Sequence, residues 1–317
     1  MRPKAENVFD SYDLEVLRTW KVRSAILCEA KQGLFILKEY NGRGEKLLLL
    51  NSFLTYLKEQ GFSNAEMLLP NKEGELFQAD PDGTKYIVKT YVNQRECSAE
   101  SIEDCKLAMG ALGCYHKIAE GFGSPLVPGE SMLSIYERHN KELKKVRRYL
   151  KEKGKKNSFE HFLNQTYDAY YDMAKQVVEE LQKYPISRDG NLICHGDFQY
   201  HNVLLSEQQY FLINFEKCVW DNKTRDIYHF MRKFLEKNNW SPQLGEQLLQ
   251  AYEAENVITQ EDRKQLYFRF CYPEKFWKIV NYYYNSRKTF IPEKNREKLE
   301  LILAQENKKK AFIEKVM

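Results

Sequence analysis

Hydrophobic and polar positions along the chain follow two rhythms. Up to about Val92 the apolar residues come in short runs broken by turn residues. The runs Val22 to Glu29 and Leu34 to Tyr40 flank the turn AKQG, and ELFQA and KYIVKTYV flank the turn DPDG. Each pair predicts a hairpin. One helix interrupts them, EKLLLLNSFLTYLKEQ, which follows the turn NGRG and ends on Gly61 as a C-cap. Ahead of the first hairpin, Leu14 and Leu17 share a face of SYDLEVLRTW, predicting a short helix capped by Asp10.

From Ser101 the apolar spacing lengthens to that of a helix. SIEDCKLAMGALGCYHKIAEGF opens on a capping-box-like Ser101 to Asp104 and carries Ile102, Leu107, Met109, Leu112 and Ile118. After the breaker-rich loop GFGSPLVPG comes the basic stretch HNKELKKVRRYLKEKGKK. Its Leu143, Val146 and Leu150 sit at helical spacing, so its cations belong mainly to a solvated helix face. A long amphipathic helix runs from Ser158 and stops near Pro185; RDIYHFMRKFLEKN is helical, Ser241 with Pro242 starts another helix, and Thr259 with Asp262 the next. Pro273 and Pro292 break the last helical run into FWKIVNYYYNSRK and a charged terminal helix. The layout is α+β: a small antiparallel-sheet lobe over residues 1–92, a hinge over 93–100, and a large, mainly helical lobe over 101–317.

Inside the helical lobe one stretch breaks the rhythm. Leu192 to Cys194, Val203 to Leu205 and Tyr210 to Ile213 are short apolar runs, and between the first two lies HGDFQYHN, His195 to Asn202. Short strands there hold Asp197 and Asn202 in a loop at the mouth of a buried sheet. An Asp followed five residues later by Asn, in a loop leaving a strand, is the arrangement a phosphoryl-transfer site uses. The Asp accepts the proton of an attacking hydroxyl while the Asn oxygen ligates magnesium. The same two residues also cap turns, and an isolated Asp-x-x-x-x-Asn would be read that way. Lys38 shares a strand face with Ile36, where it either points into a cleft and reaches phosphates or faces water at the strand end.

Composition narrows the class without naming a chemistry. Charged residues make up 30% and hydrophobic ones 43%, as expected of a globular chain, and the net charge of +4 does not argue for nucleic acid. No apolar run approaches the ~20 residues of a membrane span. The start, MRPKAENVFD, lacks a signal-peptide h-region, so synthesis in the cytoplasm is expected. Seven cysteines without a C-x-x-C pair read as reduced, buried thiols.

A strand lysine, a hinge and H-G-D-x-x-x-x-N ahead of a short apolar hairpin together resemble the two-lobed protein-kinase-like fold. H-G-D in place of H-R-D is similar to its aminoglycoside phosphotransferase and choline kinase branch. HGDFQYHNVLL, INFEKCVWDNKTRDIYHFMRKFLEKNNW and YIVKTYVNQREC resemble the CotS-type spore-coat proteins of endospore-forming bacteria, over nearly the whole chain. The resemblance implies Asp197 as catalytic base, with His195 orienting the loop through hydrogen bonds. It implies Asn202 and the position of Asn214 as magnesium ligands, Lys38 on the α/β-phosphates of ATP, and the main chain of Thr90, Tyr91, Val92 and Asn93 against adenine. Asp226 would support the catalytic loop. It further implies synthesis in the mother cell, deposition in the spore coat and other coat proteins as partners.

Three departures from the kinase pattern stand out. VRSAILCEAKQG, ahead of Lys38, has no G-x-G-x-x-G lid, and the following helix lacks an obvious Glu partner, Glu45 lying at its very start. Asn214 stands where kinases carry a magnesium-binding Asp. An amide offers Mg²⁺ a neutral oxygen in place of a carboxylate. One charge at ~4 Å and an effective dielectric of ~20 is roughly 4 kcal/mol of gross attraction. Glu216, two residues on, falls on the same side as Asn214 if the strand continues, and would partly substitute. Two functions remain open: a coat assembly or binding component with a degenerate ATP/Mg²⁺ site, or an ATP-dependent kinase for a small hydroxylated substrate such as a sugar, amino alcohol or coat glycan precursor.

Overall fold

The computed structural model describes residues 3–22, 24–123, 129–187, 191–207, 209–285 and 292–317. The chain forms two compact units. The first joins Met1–Ser124, Leu192–Val219 and Ala254–Asn256; the second joins Pro125–Asn191, Trp220–Glu253 and Val257–Met317. The connector, the helix after it and the HGDFQYHN stretch thus group with the sheet, well past the lobe boundary expected at residue 92.

In the first unit, strands β1 (Val16–Val22), β2 (Ala25–Ala30) and β3 (Gly33–Glu39) precede helix α1 (Gly44–Glu59). Strands β4 (Leu68–Leu69), β5 (Gln78–Ala79) and β6 (Lys85–Thr90) follow it. The sheet order is β1-β2-β3-β6-β4 with β5 also on β6, every pair antiparallel. The helix expected over SYDLEVLRTW is not there. Pro3–Ser11 forms a 3-10 helix and Val16–Val22 is a strand, in which Val22 pairs with Ala25 instead of opening the next run. As the sheet's edge, β1 buries none of its residues fully and leaves Leu17 60% exposed. Period-two alternation is therefore blurred, and the Leu14–Leu17 spacing misleads.

Phe35 and Leu37 of β3 pack with Ile26, Cys28, Tyr86 and Val88, under Val8, Phe9 and Tyr12. That leaves Lys38 and Lys89 on the opposite face of neighbouring strands, Lys38 opposite Ile87 and Lys89 opposite Ile36. In α1, Leu47, Leu50, Phe53, Leu54 and Leu57 form the buried stripe. Gly61, at φ +89°, closes the helix: its amide donates to the Lys58 carbonyl (3.1 Å) and that of Phe62 to the Leu57 carbonyl (2.8 Å).

The expected connector is not wholly irregular. Its Arg95–Glu96 forms β7, paired with Leu205 and Leu204, and the Arg95 guanidinium is bonded to both oxygens of Asp104. Asp104 lies in the first turn of α2 (Ile102–Ala119), which Ser101 caps by accepting from the Asp104 amide. Strand β8 (Leu192–Cys194) then leads to the hairpin of β9 (Val203–Ser206) and β10 (Gln209–Leu212), in register Val203 to Leu212.

The second unit is helical: α3 (Met132–Glu152), α4 (Ser158–Lys183), α5 (Thr224–Lys237), α6 (Pro242–Glu253), α7 (Gln260–Cys271), α8 (Glu274–Asn285) and α9 (Pro292–Val316). Buried Tyr136, His139, Leu143, Val146 and Leu150 recur every three or four residues along α3. That seam meets Leu163, Tyr167, Tyr170 and Ala174 of α4 in one core. Lys141, Lys144, Lys145, Arg148 and Lys151 are exposed, as expected of a solvated face. Part of the loop GFGSPLVPG, residues 124–128, lies outside the described residues.

Candidate functional site

All but one of the residues singled out from the sequence lie in the first unit. The HGD turn begins with a backbone requirement. Gly196 has φ +76°, and a Cβ there would sit 2.1 Å from the Lys217 carbonyl oxygen, so only glycine fits between His195 and Asp197. His195 is fully buried. Its Nδ1 accepts from the Asp197 amide (3.3 Å), so Nε2 carries the proton and donates to the Ile213 carbonyl (2.9 Å). The imidazole thus ties the Asp197 turn to the end of the β9–β10 hairpin. The Phe215 ring completes the anchor, 4.5 Å from His195 and 5.6 Å from Tyr115, whose hydroxyl donates to the Ile193 carbonyl.

The Asp197 carboxylate accepts from the Gln199 side-chain amide and from Lys217 Nζ (2.8 Å). Asn202, buried, donates from Nδ2 to the Asp197 carbonyl (2.7 Å) and accepts at Oδ1 from Asn214 Nδ2 (2.7 Å). Asn214 Oδ1 in turn accepts from Lys38 Nζ at 2.7 Å. One unbroken chain of hydrogen bonds therefore runs from Lys38 through both asparagines to the main chain of Asp197. Sequence positions 38, 197, 202 and 214 converge.

Glu216 reaches this place by a different route from strand alternation. Asn214 adopts a left-handed conformation (φ 71°, ψ 50°) and opens a 3-10 turn over Phe215–Lys217, so no strand continues past it. Asparagine tolerates that conformation better than most residues. The turn swings the Glu216 carboxylate to 2.6 Å from Lys89 Nζ and 3.5 Å from Lys38 Nζ.

Lys89 and its partner Glu66 carried no signal in the sequence beyond a lysine in an otherwise apolar strand. Both side chains are 1% exposed and lie 2.8 Å apart, and Glu66 also accepts from the Phe215 amide (3.0 Å). Glu66 is held by main-chain bonds between residues 64–66 and Leu212. It supplies the acidic partner that α1 lacks, but to Lys89 instead of Lys38. Burial alone would lower the Lys89 pKa; Glu66 and Glu216 outweigh it and raise it. Burial would raise Glu216, yet Lys89 and Lys38 pull its pKa down to about 2. Lys38 is lowered, by burial first and by Lys89 second.

At the expected adenine edge, the Thr90 amide donates to Met67 and the Tyr91 amide to Leu34, both 2.9 Å. Val92 and Asn93 follow, half-buried and exposed. Asp226 lies in the second unit, fully buried in the first turn of α5.

As a divalent-cation site this donor set does not fit. Asn202 and Asn214 offer neutral oxygens that already accept hydrogen bonds, and each carboxylate around them is paired with lysine: Glu216 with Lys89 and Lys38, Glu66 with Lys89, Asp197 with Lys217. Mg²⁺ is held chiefly through carboxylates and phosphates. What the arrangement offers readily is a strand lysine ammonium at one end of the hydrogen-bond chain, with Asp197 at the other.

A family model described as "Spore coat putative kinase YutH" matches residues 5–316. The chain is 23% identical over 305 residues to Spore coat protein S of Bacillus subtilis (strain 168), covering 91% of this chain and 85% of that protein. Its fold is similar to the aminoglycoside phosphotransferase from Alicyclobacillus acidocaldarius subsp. acidocaldarius DSM 446. There the TM-score is 0.86 at 18% identity, over 100% of this chain and 95% of that one. It is also similar to amicoumacin kinase hAmiN in complex with AMP-PNP, Ca²⁺ and Ami, with TM-score 0.64 at 14% identity, covering 96% and 92%. The fold is therefore kinase-like, with an antiparallel-sheet N-terminal region and a mainly helical C-terminal region.

Proposed function

The chain belongs to the spore coat family described as "Spore coat putative kinase YutH", and from that premise we propose that it acts in the coat as an assembly or binding component with a degenerate phosphotransfer site. The observation that carries this reading is the 2.7 Å bond from Lys38 to Asn214, at the position where the resemblance expects a metal-binding carboxylate. Coat-named relatives support deposition in the coat with other coat proteins as partners. No helix among the described residues is long and apolar enough to cross a membrane.

Lys38 and the Thr90–Asn93 edge stand at the positions that the resemblance assigns to a nucleotide. Lys38 would meet the phosphates, the peptide groups of Val92 and Asn93 the adenine, and Asp197 a hydroxyl. With ATP, Mg²⁺ and a panel of sugars and amino alcohols, the protein is expected to release ADP no faster than its Asp197→Ala variant. Acceptor-dependent ADP release that vanishes in Asp197→Ala overturns the proposal. A tagged copy should gather around the forespore late in sporulation.

A second reading, an ATP-dependent kinase for a small hydroxylated acceptor, draws on one specific feature. Asp197 and Asn202 are locked in place by His195, Gly196 and Phe215, a degree of order that a relic loop does not need. The same ADP assay decides between the two.

A further inference from the structure

Six charged side chains make up the site, and they balance. Lys38, Lys89 and Lys217 face Glu66, Glu216 and Asp197, each acid within 2.8 Å of a lysine nitrogen. Lys89 is sealed between its two carboxylates, and Lys217 is committed to Asp197. Lys38 is different. Its side chain is 24% exposed, its close partner is the neutral Asn214, and its contact with Glu216 is long at 3.5 Å. An ammonium has three donors, so one N–H of Lys38 is left for a ligand.

A divalent cation on Asn214 Oδ1 would meet that ammonium directly. Metal–oxygen bonds to Mg²⁺ are about 2.1 Å, and Lys38 Nζ is 2.7 Å from the same oxygen. The two cations would stand no more than about 5 Å apart, in a set with no surplus negative charge to offset them. A polyanion meets the opposite situation, because it adds negative charge beside the least neutralised lysine.

Resting on the reading that this site takes a nucleotide, we propose that it binds the triphosphate of ATP free of divalent cation, with Lys38 supplying the positive charge that a metal ion supplies elsewhere. Mg²⁺ then competes with binding instead of enabling it, since it draws the same phosphates away from Lys38. Asn214 is the residue that sets this preference. A carboxylate there would tie up Lys38 and restore a ligand for the ion, returning the site to metal dependence.

The test is calorimetric titration of the full chain with ATP, once in EDTA and once in excess Mg²⁺, with thermal unfolding in parallel. The unmodified protein is expected to bind ATP in EDTA and about tenfold more weakly with Mg²⁺. Asn214→Asp should reverse the order. Lys38→Gln should abolish binding in EDTA while leaving the ligand-free melting temperature near that of the unmodified protein. Binding that requires Mg²⁺ overturns both this inference and the degenerate metal position. Absence of binding in either buffer overturns the inference alone and leaves the coat component standing. Binding in EDTA that survives Lys38→Gln also overturns it, because the nucleotide would then sit elsewhere.

Discussion

Lys38 and Lys89 occupy the same sheet face on neighbouring strands and touch the same carboxylate, yet their surroundings separate them. Lys89 is enclosed by Glu66 and Glu216 and pins the turn after the hairpin to the sheet. Lys38 stands at the open end of the same cluster against a neutral amide. Charge type alone would make the two interchangeable. Burial makes one a structural pin and leaves the other's ammonium partly open to solvent.

The sharpest way to break that contrast is to remove each ammonium in turn. Lys89→Met leaves buried Glu66 without an ammonium partner and Glu216 with only its longer contact to Lys38, and breaking a buried pair costs about 3–5 kcal/mol. Lys38→Met leaves Glu216 still paired with Lys89, and should cost less than about 1 kcal/mol. Urea unfolding of the two variants measures both. Equal losses would erase the distinction.

The acid shared by the two lysines gives a second test, through pH. Glu216 has its pKa lowered from 4.5 to about 2 in the folded state. A carboxylate depressed on folding stabilises the protein above its unfolded value, and that stability is lost as pH falls through the folded value. The window is therefore pH 4.5 down to 2, and the effect is up to about 3 kcal/mol. Stability measured between pH 5 and 2.5 should fall steeply for the unmodified protein. In Glu216→Gln it should start lower and fall less. An unchanged slope would mean that other carboxylates govern acid unfolding.

How far this contrast was readable in the sequence depends on distance along the chain. The HGD loop, the helical stripes and the four strands of the two predicted hairpins announce themselves locally, through turn residues and apolar spacing. Lys38, Asp197, Asn202 and Asn214 could be picked out because a motif fixes their types and order. Glu66 could not. It sits in the loop SNAEMLLP with no periodicity around it, and its partner Lys89 lies in another element. Lys89 did leave a trace, since β6 buries Tyr86, Ile87 and Val88 beside it and a lysine there must find an acid. Which acid is a tertiary fact: Glu216 is 127 residues away. The strand β1 was hidden for the opposite reason, because an exposed edge has little apolar pattern to read.

The smallest effect belongs to the pair that looks as good as the best one by distance alone. Lys217 Nζ lies 2.8 Å from Asp197, the same separation as Lys89 from Glu66. The Lys217 side chain, however, is 70% exposed, so water screens the attraction and holding a long side chain in one geometry costs entropy. What Lys217 contributes to the loop is its backbone carbonyl, which packs on Gly196 and is kept in any substitution. Lys217→Ala is therefore expected to change stability by no more than about 0.5 kcal/mol. Urea unfolding beside Lys89→Met makes the comparison. A loss above about 1.5 kcal/mol would show that the ammonium, and not the carbonyl, holds the Asp197 turn in place, and that exposure is a poor guide to which of this site's lysines are structural.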